Sequence, residues 1–231
     1  MPAIEDPHVL GELELFHGLS PEDLAHLNGL LRCSTVPTGT NFITVEQPGE
    51  VVYVILEGTV KIYVSHEDGR EVILAFLGRG DTVGEMSLID SSGRSANVVT
   101  TEKSRLLWMD RATFQTCLRS MTPLANNLVR LLSHRLRFAN EQIQALCTLD
   151  VAGRVARQIL ALAERYGSRE AGGQVTIPLR LTQSDLGEIV GASRERVNQV
   201  VVELKQRGAI AVQPDHRIRV LNRRDLAQYC R

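Results

Sequence analysis

The sequence predicts an α+β protein, and three patterns along the chain support that class. From about Cys33 to Met109, turn residues recur roughly every ten positions between β-rich segments, as an all-β barrel or sandwich requires. A long helical pattern then runs from about Pro123 to Thr148. Beyond it, two short helical patterns flank a glycine turn between Leu181 and Leu204. A chain of 231 residues is long enough for two domains.

The composition is that of an ordinary globular protein. Hydrophobic residues make up 43% of the chain and charged residues 23%. No apolar run approaches the roughly 20 residues that a membrane-spanning helix needs. The N-terminus lacks the basic start and apolar core of a secretion signal. We therefore expect no membrane association and a cytoplasmic location.

The cysteines and histidines show no spacing typical of a catalytic or metal site. The four cysteines are scattered without a Cys-x-x-Cys pair, so we expect idle thiols rather than disulfides. The six histidines are isolated, and the serine-hydrolase, zinc-protease and P-loop motifs are absent. We expect no catalytic residues, no metal ligands and no enzyme activity.

Charge is unevenly distributed, although the net charge is only −1. Residues 1–120 contain 9 basic and 17 acidic residues, a net charge of −8. Residues 121–179 have a net charge of +3, and residues 180–231 one of +4. The C-terminal part is therefore the one suited to meet a phosphate backbone.

Local signals place the elements of the N-terminal part. Residues 8–31 predict short helices, with Ser20 as a cap and Pro21 in the first turn. The continuous apolar run Val51 to Leu56 predicts a strand that is buried on both sides. Residues 61–74 predict a hairpin that turns at Asp68-Gly69.

The stretch Asp81 to Ala96 has the chemistry of a socket for a small anion with a sugar attached. Arg94 offers a planar fork of donors that suits a phosphate, and Ser95 and the amide of Ala96 can add to it. Gly84 has no Cβ and so permits close approach of the backbone. The carboxylate of Glu85 would repel a phosphate, so its natural partner is a hydrogen-bond donor such as a ribose hydroxyl. The amides of the turn from Met86 to Ile89 can point at the same anion. The alternative is a surface ion pair between Arg94 and Glu85.

The long helix has an apolar seam that is typical of a coiled coil. Its members follow one another at intervals of three and four residues. They are Leu128, Leu132, Leu136, Ala139, Ile143 and Leu146. The small Ala139 favours a partner helix, and hence a symmetric dimer. The alternative is an amphipathic helix that lies on its own β domain.

Residues 181–204 predict a helix–turn–helix. Thr182 and Asp185 form a capping box, Gly191 permits a tight turn, and Ser193 caps the second helix. The inward positions of that second helix are apolar, namely Val197, Val200, Val201 and Leu204. After it, residues 209–212 and 217–220 predict the small hairpin of a winged helix, and residues 222–231 a closing helix.

The outward side chains of this motif suit the major groove of DNA. Arg194 matches guanine, Glu195 can accept from cytosine, and Gln199 can pair with adenine. Asn198 also faces outward. The candidates for phosphate contacts are Thr182, Gln183, Ser193 and Arg196. The alternative is a packed helical hairpin with a charged solvent face.

Two motifs resemble the CRP/FNR family of bacterial transcription regulators. The phosphate-binding cassette of that family is similar to Gly-Glu-x-Ser-Leu followed by Gly-Arg-Ser-Ala. Its recognition helix is similar to Ser-Arg-Glu-x-Val. Together the two motifs extend the resemblance over nearly the whole chain. The fold it implies is a cyclic-nucleotide-binding β-roll, similar to a jelly roll, followed by a long dimerisation helix and a winged helix–turn–helix. The implied domains are residues 1–121, residues 122–150 as dimerisation helix and hinge, and residues 151–231. The residues implied to bind the nucleotide are Gly84, Glu85, Met86, Ser87, Arg94, Ser95, Ala96 and Asn140.

The resemblance implies a homodimer that binds a palindromic DNA operator under allosteric control by a cyclic nucleotide, with cAMP as the first candidate. RNA polymerase is an implied partner, and the exposed loop 167–174 is where the family can touch it. Clustered N-terminal cysteines, which would indicate an iron–sulfur sensor, are absent. One departure concerns the base, because Ala139-Asn140 stands where cAMP-responsive members have Thr-Ser. A constitutive DNA-binding factor of the same fold is the alternative.

Overall fold

The computed structural model describes residues 2–90, 92–170 and 173–230. The chain forms two compact units, one of residues 1–64 and 74–137 and the other of residues 65–73 and 138–231. The division at 137/138 lies inside the long helix. The domain limits expected from the sequence, at 121/122 and 150/151, therefore stay a prediction.

The first part of the chain consists of short helices and eight described strands, introduced by two 3-10 helices at Pro7–Glu12 and Glu14–Phe16. As predicted, the Ser20 hydroxyl caps the first α-helix by accepting from the amide of Asp23. In chain order the elements are α1 (Pro21–Leu30), β1 (Arg32–Val36), β2 (Asn41–Ile43), β3 (Val51–Glu57), β4 (Val60–Ser65), β5 (Glu71–Leu77), β6 (Thr82–Val83), α2 (Glu85–Asp90), β7 (Asn97–Thr100), β8 (Ser104–Asp110) and α3 (Arg111–Ser120).

These strands form two open four-stranded sheets, ordered β1-β8-β3-β6 and β2-β7-β4-β5. Strand β3 contributes side chains to two cores: Val52 and Val54 belong to one apolar cluster, and Ile55 belongs to the other. The prediction of a strand buried on both sides is therefore confirmed. The architecture is the expected β-roll, with sheets that do not close into a barrel.

The long helix α4 (Thr122–Thr148) has two apolar faces rather than one. Leu128, which we predicted on the coiled-coil seam, is buried in the core of the first unit, and Leu132 packs partly against that core. The exposed stripe instead begins at Val129 and continues through Leu136 to Ile143, at intervals of seven residues. The prediction was wrong for Leu128 because apolar spacing does not show which face of a helix its own domain covers.

The remaining elements build a winged helix–turn–helix. In chain order they are α5 (Val151–Tyr166), β9 (Ser168–Arg169), β10 (Val175–Ile177), α6 (Gln183–Val190), α7 (Arg194–Gln206), β11 (Ile210–Val212), β12 (Ile218–Val220) and α8 (Arg223–Gln228). The predicted wing is confirmed as β11 and β12, and it continues into a sheet ordered β11-β12-β10-β9. The expected loop 167–174 contains β9, and its Ala171 and Gly172 lie outside the described residues.

Three further observations concern the described residues. None of their helices has the length and apolarity to cross a lipid bilayer. Within the same residues, no three His, Cys, Asp or Glu side chains come together as a metal site. All four cysteines are free thiols: Cys33 and Cys147 are exposed, Cys230 is half-buried, and Cys117 is buried.

Candidate functional site

The socket predicted at residues 81–96 lies in the first unit, where β6 turns into α2; its Ser91 lies outside the described residues. Gly84 forms the turn with a φ of 84°, a conformation that favours glycine. A Cβ at this position would lie 2.4 Å from Nη1 of Arg94 and 2.9 Å from the carbonyl oxygen of Val51. Gly84 is therefore required for the close approach of Arg94 to the backbone.

Arg94 is held in place by internal acceptors. Its Nη1 donates to the Gly84 carbonyl and to the Ser87 hydroxyl, both at 2.9 Å, and its Nη2 donates to the Val51 carbonyl at 2.8 Å. Three of the five N–H donors of the guanidinium are thus used. Nε–H is buried and has no partner among the described residues. Nε–H and one Nη2–H lie along one edge of any guanidinium, and such an edge can bind a phosphate bidentately. We call it the free edge of Arg94, because its Nε–H is unpaired.

The electrostatic surroundings of Arg94 mix both signs of charge. Burial lowers the pKa of its guanidinium, whereas Tyr53 and Glu85 raise it. The neighbouring Arg111 lowers the same pKa by repulsion, and Glu50 opposes that effect. A partly buried guanidinium that has lost hydration gains from an anion placed against its remaining donors.

Glu85 has a cationic partner that the sequence analysis did not identify. Its carboxylate is buried, with 1% of the residue exposed, and Oε1 accepts from Nη1 of Arg135 at 2.6 Å. Nη2 of Arg135 also donates to the carbonyl of Thr82. The sequence contained one hint of this partner. Arg135 lies four residues, or one helical turn, before Ala139, which was already expected to lie near the nucleotide.

Four buried polar atoms of this site have no hydrogen-bond partner among the described residues. They are Oγ1 of Thr82, Oε2 of Glu85, Nε of Arg94 and Nε of Arg135. Buried polar groups are normally paired, and each unpaired one costs about 1 to 3 kcal/mol. Donors and an acceptor left unpaired in one place suit a ligand that brings both an anion and hydroxyl groups.

The other predicted ligand residues are placed differently from one another. Ser87 is buried, and its hydroxyl also donates to the Gly84 carbonyl at 3.2 Å. Ala96 is buried, Ser95 is exposed, and Met86 is half exposed on α2. Asn140 lies on the part of α4 that belongs to the second unit, where it is exposed.

The second unit contains the predicted capping box. The hydroxyl of Thr182 accepts from the amide of Asp185 at 3.1 Å, and the Asp185 carboxylate accepts from the amide of Thr182 at 2.9 Å. Gly191 ends α6 in the left-handed region, with φ 64° and ψ 49°. Ser193 then caps α7 by accepting from the amide of Arg196 at 3.2 Å. These local rules fix the helix–turn–helix as predicted.

All eight predicted DNA-contacting residues lie at the start of α6 or in the first half of α7. Seven of them are exposed and Gln183 is partly exposed. The Gln183 side chain on α6 donates to the Asn198 side chain on α7 at 2.8 Å, so predicted DNA-contacting residues of both helices lie side by side. Within α7, Arg196 donates to Gln199 at 3.0 Å. The opposite face of α7 is buried. This arrangement presents donors and acceptors on one polar helix face, as a major-groove reader requires.

A second network holds the helix–turn–helix to the segment that follows α4. Arg154 on α5 donates to the carbonyl of Leu149 at 3.2 Å and to the carbonyl of Val190 at 2.8 Å. Gln142 on α4 donates to the buried Gln158 on α5 at 2.6 Å. Within the second unit, the last turns of α4 are therefore connected to the turn before the recognition helix.

Comparison with known proteins identifies both parts of the chain. Residues 34–121 match the family model described as cyclic nucleotide-binding domain, and residues 153–229 match the one described as Crp-like helix-turn-helix domain. The chain is 35% identical over 205 residues to the CRP-like cAMP-activated global transcriptional regulator of Mycobacterium tuberculosis, covering 89% of this chain and 91% of that protein. It is 32% identical to the cyclic AMP receptor protein of Thermus thermophilus, covering 87% and 89%.

Solved structures show the same fold. The structure of FixK2 from Bradyrhizobium japonicum superposes with a TM-score of 0.75 and covers 86% of this chain and 96% of that one. The two sequences are 21% identical, so this likeness supports the fold alone. The match nonetheless extends over both the β-roll and the helix–turn–helix.

Proposed function

The chain belongs to the CRP/FNR family of transcription regulators, and on that basis we propose that it is a homodimer that reads specific DNA sequences under the control of a cyclic nucleotide. We propose cAMP as that nucleotide, because the two relatives described above are named for cAMP. The DNA-binding domain and the cyclic-nucleotide-binding domain follow from family membership. The identity of the ligand, the dimer and the allosteric control are the proposal.

The observation that supports a nucleotide most strongly is the set of unpaired atoms around Arg94. The free edge of Arg94 would bind the cyclic phosphate, and Oε2 of Glu85 would accept from the ribose hydroxyl. The three internal bonds of Arg94 hold the guanidinium in place before the ligand arrives, which lowers the entropy lost on binding.

Calorimetric titration with cAMP and cGMP tests this part of the proposal. We expect cAMP to bind to the wild type and Arg94→Gln to weaken that binding by about a hundredfold, since a buried charge-assisted pair is lost. Arg79→Gln is the matched control, because Arg79 is an exposed arginine of the same unit. No heat with either nucleotide, in a folded protein, would contradict the proposal.

The exposed stripe of α4 supports the homodimer. Val129, Leu136 and Ile143 are 64%, 63% and 60% exposed, although they are large and apolar. A spacing of seven residues suits a left-handed coiled coil with a second copy of the same helix. Leu136→Glu should therefore convert the dimer into monomers in light scattering, whereas Arg137→Glu, its exposed neighbour, should leave the mass unchanged. A monomeric wild type would refute the dimer.

The helix–turn–helix supports sequence-specific reading, and the Arg154 network supports control of it. A change at the end of α4 would reach the recognition helix through the bonds of Arg154 to Leu149 and Val190. A ligand changes DNA affinity only by binding two such arrangements unequally. Contact with RNA polymerase is part of the proposal through family membership, and an activator would raise transcription from a promoter near its operator.

A constitutive factor is a second candidate, and a specific observation favours it. Arg94 already has three internal acceptors, and Glu85 is already paired with Arg135. These internal partners would hold the two charged side chains in place without a ligand, although Nε of Arg94 and Oε2 of Glu85 stay unpaired. DNA binding that is equally tight with and without cAMP would favour this candidate, provided that the same protein binds DNA selectively.

A further inference from the structure

Three chain segments meet directly behind the Arg94 socket. Arg111, the first residue of α3, donates through Nη2 to the carbonyl of Gly49 at 2.8 Å and to the carbonyl of Ser87 at 2.9 Å. Gly49 lies in the loop before β3, and Ser87 lies in α2. One guanidinium therefore joins the loop to the helix that forms the socket.

The packing at this junction leaves little freedom. A Cβ on Gly49 would lie 2.3 Å from both Cβ and Oγ of Ser87, so the loop backbone abuts the Ser87 side chain. Gln115, one turn further along α3, donates to the carbonyl of Leu88 at 3.1 Å. The position of Ser87 is thus set from two sides, by the Gly49 backbone and by Arg111.

Ser87 in turn contacts the guanidinium that faces the proposed ligand. Its hydroxyl accepts from Nη1 of Arg94 at 2.9 Å. A displacement of α2 would move this acceptor and turn the free edge of Arg94. Two hydrogen bonds therefore connect Arg111 to Arg94 through Ser87. Arg111 donates to the backbone carbonyl of Ser87, and Arg94 donates to its hydroxyl.

We propose that Arg111 is a positioning residue of the nucleotide site, which acts on the phosphate through Ser87 and Arg94. This inference rests on the proposed binding of a cyclic nucleotide. Both carbonyls accept from the one nitrogen Nη2, which lies one bond beyond the position of a Lys ammonium, so a Lys here would be too short to place its donors at both carbonyls. Arg111 itself makes no contact with the ligand.

Charge alone offers a competing explanation, because Arg111 lies close enough to Arg94 to lower the pKa of Arg94 by repulsion. Arg111→Lys retains the charge and removes the bridge, whereas Arg111→Gln removes both. If the bridge matters, both variants should bind cAMP about tenfold more weakly, the loss typical of an outer group that orients a ligand-binding residue. If Arg111→Lys binds cAMP like the wild type, charge explains the effect and the proposal fails.

A double-mutant cycle separates positioning from general damage. Calorimetry with cAMP is carried out on Arg111→Gln, Ser87→Ala and the double variant, with Arg119→Gln, an exposed arginine of the same helix, as control. Because Arg111 acts through the Ser87 hydroxyl, the double variant should bind about as weakly as either single variant, tenfold below the wild type. Additive losses, about a hundredfold in the double variant, would overturn the proposal.

Amide hydrogen exchange across residues 85–90 gives a readout that needs no ligand. Exchange should be faster in both Arg111 variants than in the wild type and the Arg119 control; equal exchange overturns the proposal. If the wild type and the Arg111 variants bind cAMP equally well, the inference about Arg111 is refuted and the proposed function is not. A wild type that binds no cyclic nucleotide refutes the proposed function, and the inference with it.

Discussion

Replacing Arg135 by methionine should destabilise the first unit, because it leaves the Glu85 carboxylate buried without a counter-charge. The ion pair is short, at 2.6 Å, and only 2% of the Glu85 side chain is exposed. Removal of one partner of a buried pair costs about 3 to 5 kcal/mol. Since the Arg135 side chain is 22% exposed, water can partly replace it, and we expect the lower value, about 3 kcal/mol.

The single tryptophan of the chain makes this loss measurable in the first unit alone. Trp108 lies in β8, so its fluorescence reports the unfolding of the β-roll in urea. With a urea dependence of about 1.5 kcal/mol per M, the midpoint should fall by about 2 M. Arg137→Met, an exposed neighbour, should shift the midpoint by less than about 0.3 M.

The double variant Arg135→Met with Glu85→Gln tests the reason for the loss. A neutral amide is easier to bury than a carboxylate, so the double variant should be more stable than Arg135→Met by about 1 kcal/mol or more. If Arg135→Met unfolds at the wild-type midpoint, or if Glu85→Gln gives no recovery, the unpaired carboxylate is not the cause.

Three further predictions concern other parts of the chain. Thr182→Ala should destabilise α6 by about 1 kcal/mol, because it removes the capping box, and faster amide exchange in α6 would show it. Gly187→Ala should disrupt the helix–turn–helix, since its Cβ would lie 2.7 Å from the Ala192 carbonyl oxygen. Gly29→Ala, with nothing within 4 Å of the added Cβ, should be neutral or stabilising, and circular dichroism melts compare the two variants. Burial raises the pKa of the Tyr53 hydroxyl, although Arg94 lowers it. The stabilisation that neutral Tyr53 gives the folded state is therefore complete below about pH 10, the usual pKa of tyrosine, and is lost as the pH rises through the raised pKa. Tyr53→Phe should therefore show a smaller fall in urea midpoint between about pH 10 and pH 11.

The sequence predicted best what depends on neighbouring residues. The capping box of Thr182, the Ser20 cap and the turn at Gly191 each follow from a few adjacent positions, and the structure has all three. The apolar run of β3 likewise predicted its burial on both sides. Strand β10, with three residues, was not predicted because so short a segment shows little alternation, whereas the equally short β11 and β12 were predicted as a hairpin around the turn between them.

The contacts that shape the candidate site join residues far apart in the chain. Arg94 donates to Val51, 43 positions away, and Arg135 pairs with Glu85 across 50 positions. The sequence indicated Arg94 and Glu85 as the chemically active pair but gave no sign that Arg94 bonds to the backbone rather than to Glu85. Such pairings depend on how the sheets fold over one another, which periodicity does not encode.

The most direct test of the central claim is the DNA affinity of the wild type and of Arg94→Gln, measured with and without cAMP at one fixed salt concentration. The DNA would be a palindrome that the wild type itself selects from a random pool, and anisotropy of a labelled duplex would report binding. We predict that cAMP tightens wild-type binding by tenfold or more, on the order of a typical allosteric coupling, and leaves Arg94→Gln unchanged. Equal affinities in all four conditions would contradict the claim that this site governs DNA binding.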